Sequence, residues 1–485
     1  MNVYAEIAPF NIRVADIRKK EPKGLILSGG PASVLAKKAP QIHCDALELG
    51  IPVLGLCYGL QLMTHLLGGE VAPGNTREYG HAELSSIARD DIFSGIEAPL
   101  SVWMSHGDSV KNLPPGFIRL ASSRDCPNAA IRHRRLPLYG LQFHPEVHHT
   151  RKGLLILKNF AKKICGAKAD WKISAFVDRT IQELREQTEG RRVLCAVSGG
   201  VDSTVLAVLL HRAIGKRLKS IFVDNGVLRK NEAATVRERF KRLGVPVKFI
   251  NASEHFLKKL KGIKHPEKKR RIIGREFVYV FLGELGETDL LAQGTLYPDV
   301  IESVSVRGPS ATIKTHHNRV KEILQLERQN RLVEPLKELF KDEVRKAGME
   351  LGLPPEVLHR QPFPGPGLAI RILGAVTPKR LEILREADAI LLEEIKAAGL
   401  YHKIWQTFCV LLPIQSVGVM GDERTYENAV AIRAVRSVDG MTADWVRLPQ
   451  KLLARLSNRI INEVAGINRV VYDVSSKPPS TIEWE

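Results

Sequence analysis

The position of Cys57 in the sequence is one at which a side chain could act as a nucleophile. It lies between Gly55 and Gly59, at the point where an apolar strand predicted over Ile51–Leu56 gives way to a helix that opens at Tyr58. Small neighbours permit a strained strand-to-helix turn that exposes the middle side chain, and a helix N-terminus favours its thiolate. An isolated buried cysteine is more often an inert core residue, so Cys57 becomes a candidate nucleophile only in combination with suitable partners.

A nucleophilic thiol needs a base and a group that orients the base. The apolar run Leu138–Phe143 predicts a buried strand, and it is followed by His144 and, two residues later, by Glu146. Residues two apart in an extended chain point to the same side, so the imidazole and the carboxylate can meet. Cys57, His144 and Glu146 are therefore the predicted catalytic thiol, base and orienting group.

Three motifs resemble those of the class I glutamine amidotransferases and occur in that family's order: Gly29–Pro31, Gly55–Gln61 and Phe143–Glu146. The resemblance implies a flavodoxin-like α/β domain in which Cys57 attacks the glutamine carboxamide, forms a glutamyl thioester and frees ammonia. By the same likeness His144 moves the proton. The resemblance also implies that backbone N–H groups near Gly30 and Tyr58 stabilise the oxyanion. It implies that Gln61 helps to hold glutamine.

The N-terminal end departs from that family. In the family, a strand and a Gly-Ser-Gln-type turn precede the segment that resembles Val3–Ile7, which would itself be the second strand. We therefore expect this sheet to lack one strand and its helix. Two explanations stay open: the sequence is shortened, or the glutaminase domain is reduced. The second would put its stability and activity in doubt.

A second constellation lies between an apolar strand predicted over Val193–Val197 and an apolar helical run over Val205–Leu210. Its glycines let backbone N–H groups approach an anion, its serines add donors, and the helix N-terminus adds its positive dipole end. No Lys-Ser/Thr pair closes the loop as in a Walker A motif, whereas Asp202 could bind a cation. We therefore predict a cradle for magnesium-bound pyrophosphate, with an ordinary glycine turn as the alternative.

This loop resembles the pyrophosphate loop of the ATP pyrophosphatase family, which implies adenylation of a substrate oxygen and release of pyrophosphate. Strands predicted at Lys219–Asp224, Val245–Asn251 and Leu290–Thr295 continue a doubly wound α/β domain with its ligand at the strand ends. Asp202 is the expected Mg²⁺ ligand, and no organic cofactor is expected. The predicted ATP-binding residues are Ser198, Gly199, Gly200, Val201, Asp202, Ser203, Thr204 and, beside the adenosine, Val223.

Residues 362–485, the last quarter of the chain, predict a small α+β unit. The Pro/Gly-rich segment Arg360–Ala369 marks a boundary because no helix or central strand could cross it. A helix pattern follows over Thr377–Ala398, and then three strand patterns, at Val410–Ile414, Val417–Val419 and Val430–Val435. This unit carries no catalytic constellation of its own, which favours a dimerisation domain and hence a homodimer.

Segments in all three parts resemble the glutamine-hydrolysing GMP synthase family. The resemblance implies that XMP, ATP and glutamine become GMP, AMP, pyrophosphate and glutamate, because XMP is adenylated and then aminated by ammonia. It also implies that Arg270, Lys477 and Glu483 hold XMP, and it divides the chain into residues 1–165 (glutamine amidotransferase), 166–361 (ATP pyrophosphatase) and 362–485 (dimerisation and XMP binding). The resemblance runs from Gly24 to Glu485. Besides the amidotransferase motifs and the pyrophosphate loop named above, the matching segments are Leu291–Thr295, Asp299–Ser303, Ile313–Asn318, Glu334–Lys337, Phe363–Gly367, Gly418–Tyr426 and Ser476–Pro479.

Composition limits the class of protein. At 485 residues the chain is too long for one core, and 44% hydrophobic and 26% charged residues are ordinary for a globular protein. No apolar run approaches the length of a membrane span and no signal peptide opens the chain, so we expect a cytoplasmic protein with no membrane partner. The six cysteines form no C-x-x-C pair, which indicates neither a disulfide framework nor a zinc site.

The formal charge of +19 favours anionic partners, which could be nucleotides, RNA or counterions. The basic stretch Lys258–Arg275 has no interleaved aromatic residue before Phe277, so RNA is the weaker interpretation and no nucleic-acid partner is expected. The pair His316–His317 lacks further ligands at zinc spacing.

Three competing functions stay open. Another glutamine-fed adenylating ligase, such as NAD synthase, would share the pyrophosphate loop but not the Lys-Pro-Pro motif at Lys477. An RNA-modifying enzyme would use the basic stretch and bind RNA in a salt-dependent way. A non-catalytic nucleotide-binding or assembly protein would release no pyrophosphate with any substrate.

Overall fold

The computed structural model describes residues 1–37, 39–147, 149–297, 299, 321–420, 423–437, 440, 442–477 and 479–485. These residues form two compact units, one built on Met1–Lys172 and the other on Ile173–Asp299 together with the described residues from 321 onward. Most of the predicted motif at residues 299–303, the motif at 313–318 and the pair His316–His317 lie outside the described residues. Among the described helices, none combines the length and the apolar character that a membrane span requires.

The first unit is built on a seven-stranded mixed sheet in the order β1-β2-β7-β6-β5-β3-β4, in which β1, β2 and β7 run parallel and the other pairs antiparallel. The strands are β1 Leu25–Leu27, β2 Val53–Leu56, β3 Glu70–Ile87, β4 Leu100–Asn112, β5 Phe117–Ser123, β6 Ala130–His133 and β7 Leu138–Leu141. Its helices are Val14–Lys19, Tyr58–Leu66 and Gly153–Lys158, with a 3₁₀ helix at Cys44–Glu48 and a π-helical segment at Asn159–Ile164.

Burial explains which strands lie at the centre of this sheet. All four residues of β2 and all four of β7 are buried, as expected for short apolar strands covered on both faces. Two hydrophobic clusters supply that cover, one containing Phe143 and the other Leu60. The expectation that Val3–Ile7 is a strand is wrong, because these residues have no strand assignment and pair with none of the described strands. β1 occupies the edge of the sheet.

The second unit contains a five-stranded, fully parallel sheet in the order β10-β9-β8-β11-β12. The strands are β8 Val193–Ala196, β9 Leu218–Asp224, β10 Val247–Asn251, β11 Leu290–Ala292 and β12 Leu332–Val333. The chain leaves β8 in one direction towards β10 and returns to its other side at β11, and ligands bind at such a reversal of strand order. Helices in this part are Ile173–Thr188, Val201–Ile214, Glu232–Arg242, Ser253–Leu260, Pro266–Leu282, Lys321–Arg328, Lys341–Glu350 and Pro355–Leu358, with a 3₁₀ turn at Gly215–Arg217.

The same unit ends in a four-stranded sheet in which β13 Gln406–Met420, β14 Glu423–Arg436 and β15 Asp444–Trp445 follow in order and β16 Ile467–Tyr472 pairs with β14. The strands predicted at 410–414 and 417–419 are one strand, β13, whose pairing with β14 shifts between Leu411 and Gln415. Pro413 lies at this shift and has no N–H to donate to the ladder. The accompanying helices are Pro378–Ala397 and Gln450–Glu463, and the 3₁₀ helices are Gly367–Arg371 and Tyr401–Lys403.

Candidate active site

The turn that carries Cys57 is strained and tightly packed. Cys57 has φ +49° and ψ −101°, and it directly precedes the helix Tyr58–Leu66. A Cβ on Gly59 would lie 2.1 Å from the carbonyl oxygen of Leu27, and one on Gly55 would lie 2.6 Å from the carbonyl carbon of Gly59. Both positions therefore require glycine, as the predicted strand-to-helix turn demands.

Strands β4 and β7 surround the Cys57 thiol. The backbone N–H of Cys57 donates to the carbonyl oxygen of Leu141 at 2.7 Å. The thiol donates to the carbonyl oxygen of Ser105 at 3.6 Å, and the Gln142 side-chain amide donates to the sulfur at 3.7 Å. With 4% of its surface exposed, Cys57 lies in an enclosed, partly polar pocket.

His144 and Glu146 form the predicted pair. Nδ1 of His144 lies 2.7 Å from Oε1 of Glu146. The pKa of His144 is raised to about 10, first by the facing Cys57 thiol and next by Glu146, against the opposing effect of burial. Nε2 of the ring makes no aligned hydrogen bond among the described residues. The imidazole is therefore held by Glu146 on one side and turned to the thiol on the other.

Backbone contacts fix the position of His144. Its N–H donates to the carbonyl oxygen of Trp103 at 3.0 Å. The Thr150 hydroxyl donates to the carbonyl oxygen of His144 at 2.6 Å and accepts the Trp103 N–H at 3.0 Å. A Cβ on Gly29 would lie 3.0 Å from Cε1 of His144 and 3.8 Å from Cβ of Cys57. Gly29 therefore borders both candidate catalytic side chains.

The residues expected to bind the oxyanion and glutamine lie close to Cys57. The position of a Cβ on Gly30 is 3.8 Å from Cγ of Tyr58, so these two predicted oxyanion residues are neighbours. The Tyr58 hydroxyl donates to the carbonyl oxygen of Pro40 at 2.5 Å. The Gln61 amide donates to the carbonyl oxygen of Asp108 at 2.7 Å, so its nitrogen is already bonded to the protein.

The loop from Ser198 to Thr204 has the shape of an anion cradle. Gly199 has φ +77°, and a Cβ there would lie 2.5 Å from Val236. The N–H of Ser198 donates to the Ser203 hydroxyl at 3.2 Å, and the N–H of Gly200 donates to the Ser198 hydroxyl at 3.3 Å. The loop is therefore ordered by its own hydroxyls, directly before the helix that begins at Val201 and presents its positive dipole end. Thr204 is fully buried, and its hydroxyl donates to the Gly200 carbonyl oxygen at 2.7 Å. Thr204 therefore supports the backbone of the loop.

Two arginines that sequence reasoning missed support this loop. Nη1 of Arg239 and Nη1 of Arg360 each donate to the carbonyl oxygen of Gly199 at 2.8 Å. Nη2 of Arg360 also donates to Glu232 at 2.6 Å. Two guanidinium groups therefore add positive charge beside the cradle and restrain the glycine at which its backbone turns.

Asp202 fits the role of a cation ligand. Its Oδ1 is buried and has no hydrogen-bond partner among the described residues, although a buried carboxylate oxygen ordinarily has one. Nζ of Lys341 lies 3.7 Å from Oδ2. A hard divalent ion would satisfy the unpaired oxygen. Val223, expected beside adenosine, is buried near the carboxyl end of the neighbouring strand β9.

Glu483 is held by a buried arginine. Its two carboxylate oxygens accept hydrogen bonds of 2.9 and 3.1 Å from the Arg371 guanidinium, and Oε1 also accepts one of 2.7 Å from Gln406. Arg371 is fully buried, and its guanidinium carbon lies 4.0 Å from the centre of the Phe408 ring. Glu483 is consequently fixed as an acceptor in one orientation.

The two other predicted XMP residues contact different backbone segments. Nη2 of Arg270 donates to the carbonyl oxygen of Glu485, which brings Arg270 to the segment that contains Glu483. Nζ of Lys477 donates to the carbonyl oxygen of Gly440 at 2.8 Å. Each of these hydrogen bonds is accepted by a backbone carbonyl oxygen.

Comparisons with known proteins cover all three parts of the chain. The description "Glutamine amidotransferase class-I" matches residues 1–164, "PP-loop domain" residues 173–304 and "GMP synthase C terminal domain" residues 393–484. The chain is 55% identical to the "GMP synthase [glutamine-hydrolyzing]" of Maridesulfovibrio salexigens, over 100% of this chain and 95% of that protein. The chain belongs to the glutamine-hydrolysing GMP synthase family. The GMP synthase of Wolinella succinogenes is also 55% identical, over 100% of this chain and 94% of its own length.

One solved structure adds a weaker likeness. A glutamine amidotransferase from Thermotoga maritima is 28% identical over a region that covers 24% of this chain and 49% of that protein, with a TM-score of 0.20. Membership of the GMP synthase family confirms the predicted fold class, a class I amidotransferase part, a PP-loop part and a small C-terminal part.

Four side chains near the candidate sites of this GMP synthase family member were not predicted from the sequence. One of them left a signal, since Gln142 is a polar residue in an apolar run and is completely buried. The other three lie in segments whose amino-acid pattern does not indicate a catalytic or binding site. The four residues are Gln142, Thr150, Arg239 and Arg360.

Proposed function

We propose that this chain makes GMP from XMP, ATP and glutamine and releases AMP, pyrophosphate and glutamate. One observation carries the proposal: a single chain of the GMP synthase family contains both kinds of site. One is the contact between His144 and Glu146 beside Cys57. The other is a glycine-containing loop with a carboxylate oxygen of Asp202 that has no hydrogen-bond partner among the described residues. The first arrangement suits amide hydrolysis and the second suits pyrophosphate release, and the reaction needs both.

In the amidotransferase part, Cys57 is the nucleophile, His144 the proton carrier and Glu146 the residue that orients the histidine. His144 takes the thiol proton, the sulfur bonds to the glutamine carboxamide carbon, the carbon–nitrogen bond breaks, and the resulting imidazolium protonates the leaving nitrogen. Water then hydrolyses the thioester to glutamate. A His144 pKa of about 10 supports an imidazolium that is ready to donate at neutral pH.

The neighbours of the thiol have positioning roles in this proposal. Backbone N–H groups at Gly30 and Tyr58 stabilise the tetrahedral oxyanion, and their proximity supports a common site. Gln61 helps to hold glutamine, and its bond to the Asp108 carbonyl oxygen leaves the amide oxygen as the group that faces a ligand.

In the pyrophosphatase part, the loop Ser198–Thr204 holds the pyrophosphate of ATP, with Val223 beside the adenosine. Asp202 holds Mg²⁺, whose charge would offset that of the phosphates. The adenylated oxygen of XMP then becomes a good leaving group, and ammonia displaces AMP at that carbon. The unpaired oxygen of Asp202 and the two arginines on Gly199 support this assignment.

Arg270, Lys477 and Glu483 bind XMP in this proposal. Glu483 accepts hydrogen bonds from the base, and the two cations suit the phosphate. The rigid pairing of Glu483 with Arg371 supports a fixed acceptor. We also retain the domain limits 1–165, 166–361 and 362–485.

A homodimer is part of the proposal. Strands β13 and β14 carry large apolar side chains on an exposed ribbon, and a second copy of the chain would cover them. We place the enzyme in the cytoplasm, because all six cysteines are free. The exposed apolar residues on the ribbon are Ile414, Val417, Val419 and Tyr426.

The test is GMP formation from ATP and XMP, measured once with glutamine and once with ammonium. Cys57→Ala should abolish the glutamine-dependent rate and leave the ammonium-dependent rate. If the unmodified protein yields neither AMP nor GMP with ammonium, the proposed function is wrong. If Cys57→Ala removes both rates in a folded protein, the proposed division of roles is wrong.

A further inference from the structure

Three potential metal ligands meet beside the thiol site without taking part in it. Glu78 on β3, His106 on β4 and Cys126 in the connection after β5 have ligand atoms that all lie within 4.8 Å of one another. Glu78 and His106 are directly paired across β3 and β4. Only 6% of His106 and 1% of Cys126 are exposed, so the group is built into the fold.

Two atoms of this cluster have unused bonding capacity. Nε2 of His106 approaches Oε2 of Glu78 to 2.9 Å, yet neither atom makes an aligned hydrogen bond with any described residue. Nε2 of His106 is therefore a buried ring nitrogen that a bound metal ion would satisfy.

We propose that Glu78, His106 and Cys126 form a site for Zn²⁺ with three protein ligands and one open position. At ordinary zinc bond lengths, tetrahedral ligand atoms are separated by roughly 3.3–3.6 Å. The separations in the cluster bracket this value, from 2.9 Å between His106 and Glu78 to at most 4.8 Å for any pair. Thiolate and imidazole ligands select zinc over magnesium or calcium. The Cys126 thiol loses its proton to water on binding, so the thiolate and the carboxylate together balance the charge of the ion.

This site contacts the backbone that supports the proposed glutaminase. The carbonyl oxygen of Asp108, two residues after His106, accepts the Gln61 amide at 2.7 Å. Ser105, the neighbour of His106, accepts the Cys57 thiol at 3.6 Å. Zn²⁺ should therefore lower the glutamine-dependent rate while the ammonium-dependent rate stays the same. This kinetic consequence rests on the proposed function, whereas metal binding does not.

Binding is tested with Co²⁺ as a spectroscopic substitute for Zn²⁺ on the full-length protein. We expect one ion per chain, a thiolate-to-cobalt charge-transfer band and its displacement by Zn²⁺. Cys126→Ala should abolish the band and weaken Zn²⁺ binding by more than the roughly 10- to 100-fold that loss of a second-shell partner costs. No band in the unmodified protein, or a band that persists in Cys126→Ala, would overturn the site.

Two other cysteines serve as controls. Cys44 lies in an exposed group with His43 and Asp45 whose ligand atoms are also within 4.8 Å. Both Cys44→Ser and Cys57→Ala should keep the band, and its loss in either variant would assign the ion elsewhere. Circular dichroism checks folding, and Glu78→Gln replaces Cys126→Ala if the latter unfolds. A band without any GMP formation would leave the zinc site standing and refute only the proposed function.

Discussion

Nη1 of Arg360 donates a 2.8 Å hydrogen bond to the carbonyl oxygen of Gly199, which lies 161 residues earlier in the chain. Arg360 opens the Pro/Gly-rich segment that follows the helix Pro355–Leu358. The shape of the proposed pyrophosphate loop therefore depends on a residue at the far end of the proposed pyrophosphatase part, 166–361.

Arg360→Ala should weaken the use of ATP. The substitution removes a charged hydrogen bond to the loop and leaves Glu232 without its 2.6 Å partner, at a cost of about 1.5–3 kcal/mol. We expect kcat/KM for ATP in ammonium-dependent synthesis to fall by roughly 10- to 100-fold. The control is Arg242→Ala, whose side chain is 75% exposed and pairs with Glu238 on its own helix. Equal kinetics for both variants would contradict a role of Arg360 in the loop.

Glu146→Gln should shift the alkaline limit of glutamine hydrolysis to lower pH. His144 has its pKa raised to about 10, above the ordinary 6.5, so the imidazolium persists below about pH 10 and is lost as the pH rises through that value. Removing Glu146, the second cause of the shift, lowers this pKa. We expect the alkaline limb of kcat/KM for glutamine to move down and kcat to fall by roughly 10²-fold or more.

The control for that profile is Glu97→Gln, an exposed carboxylate in the same unit. The ammonium-dependent rate should be unchanged in both variants. An alkaline limb that stays in place in Glu146→Gln would show that this carboxylate does not support the imidazolium.

Asp202→Asn should remove synthesis with either nitrogen donor. The amide keeps the size of the side chain but loses the charge that would hold Mg²⁺, and charge stabilisation by a metal ion is worth several kcal/mol. We expect both synthetic rates to fall by roughly 10²-fold or more, while glutamate release continues. Asp342→Asn, 69% exposed and paired with Lys346, is the matched control. Unchanged dependence on Mg²⁺ concentration would remove Asp202 from the proposed metal site.

Gly59→Ala should destabilise the first unit. The new Cβ would lie 2.1 Å from the Leu27 carbonyl oxygen, so the helix after Cys57 must move away from β1. Overpacking of this kind costs about 1–3 kcal/mol and occasionally more. Gly107→Ala, where a Cβ meets nothing within 4 Å, should change the melting temperature little. Equal melting temperatures would refute the packing argument.

Local patterns predicted much of the fold. The strand before Cys57, the helix after it and the long helix Pro378–Ala397 were expected from apolar runs, glycine spacing and the Pro/Gly segment, and all three are present. Strand β12 was missed because a two-residue strand leaves no periodicity to detect. β13 was divided in two because Pro413 interrupts its pattern while the strand continues past the register shift.

The amino-acid sequence alone therefore determined which short segments become strands, turns and helices, and that Cys57 and His144 each follow a buried strand. Only the tertiary structure decided that Arg239 and Arg360 meet at Gly199, that Arg371 holds Glu483, and that three separate segments bring together the proposed zinc ligands. The physical reason is the distance along the chain over which each kind of interaction acts. Strand and turn propensities act over a few neighbouring residues, whereas these contacts arise from sheet pairing and packing between residues far apart in the chain.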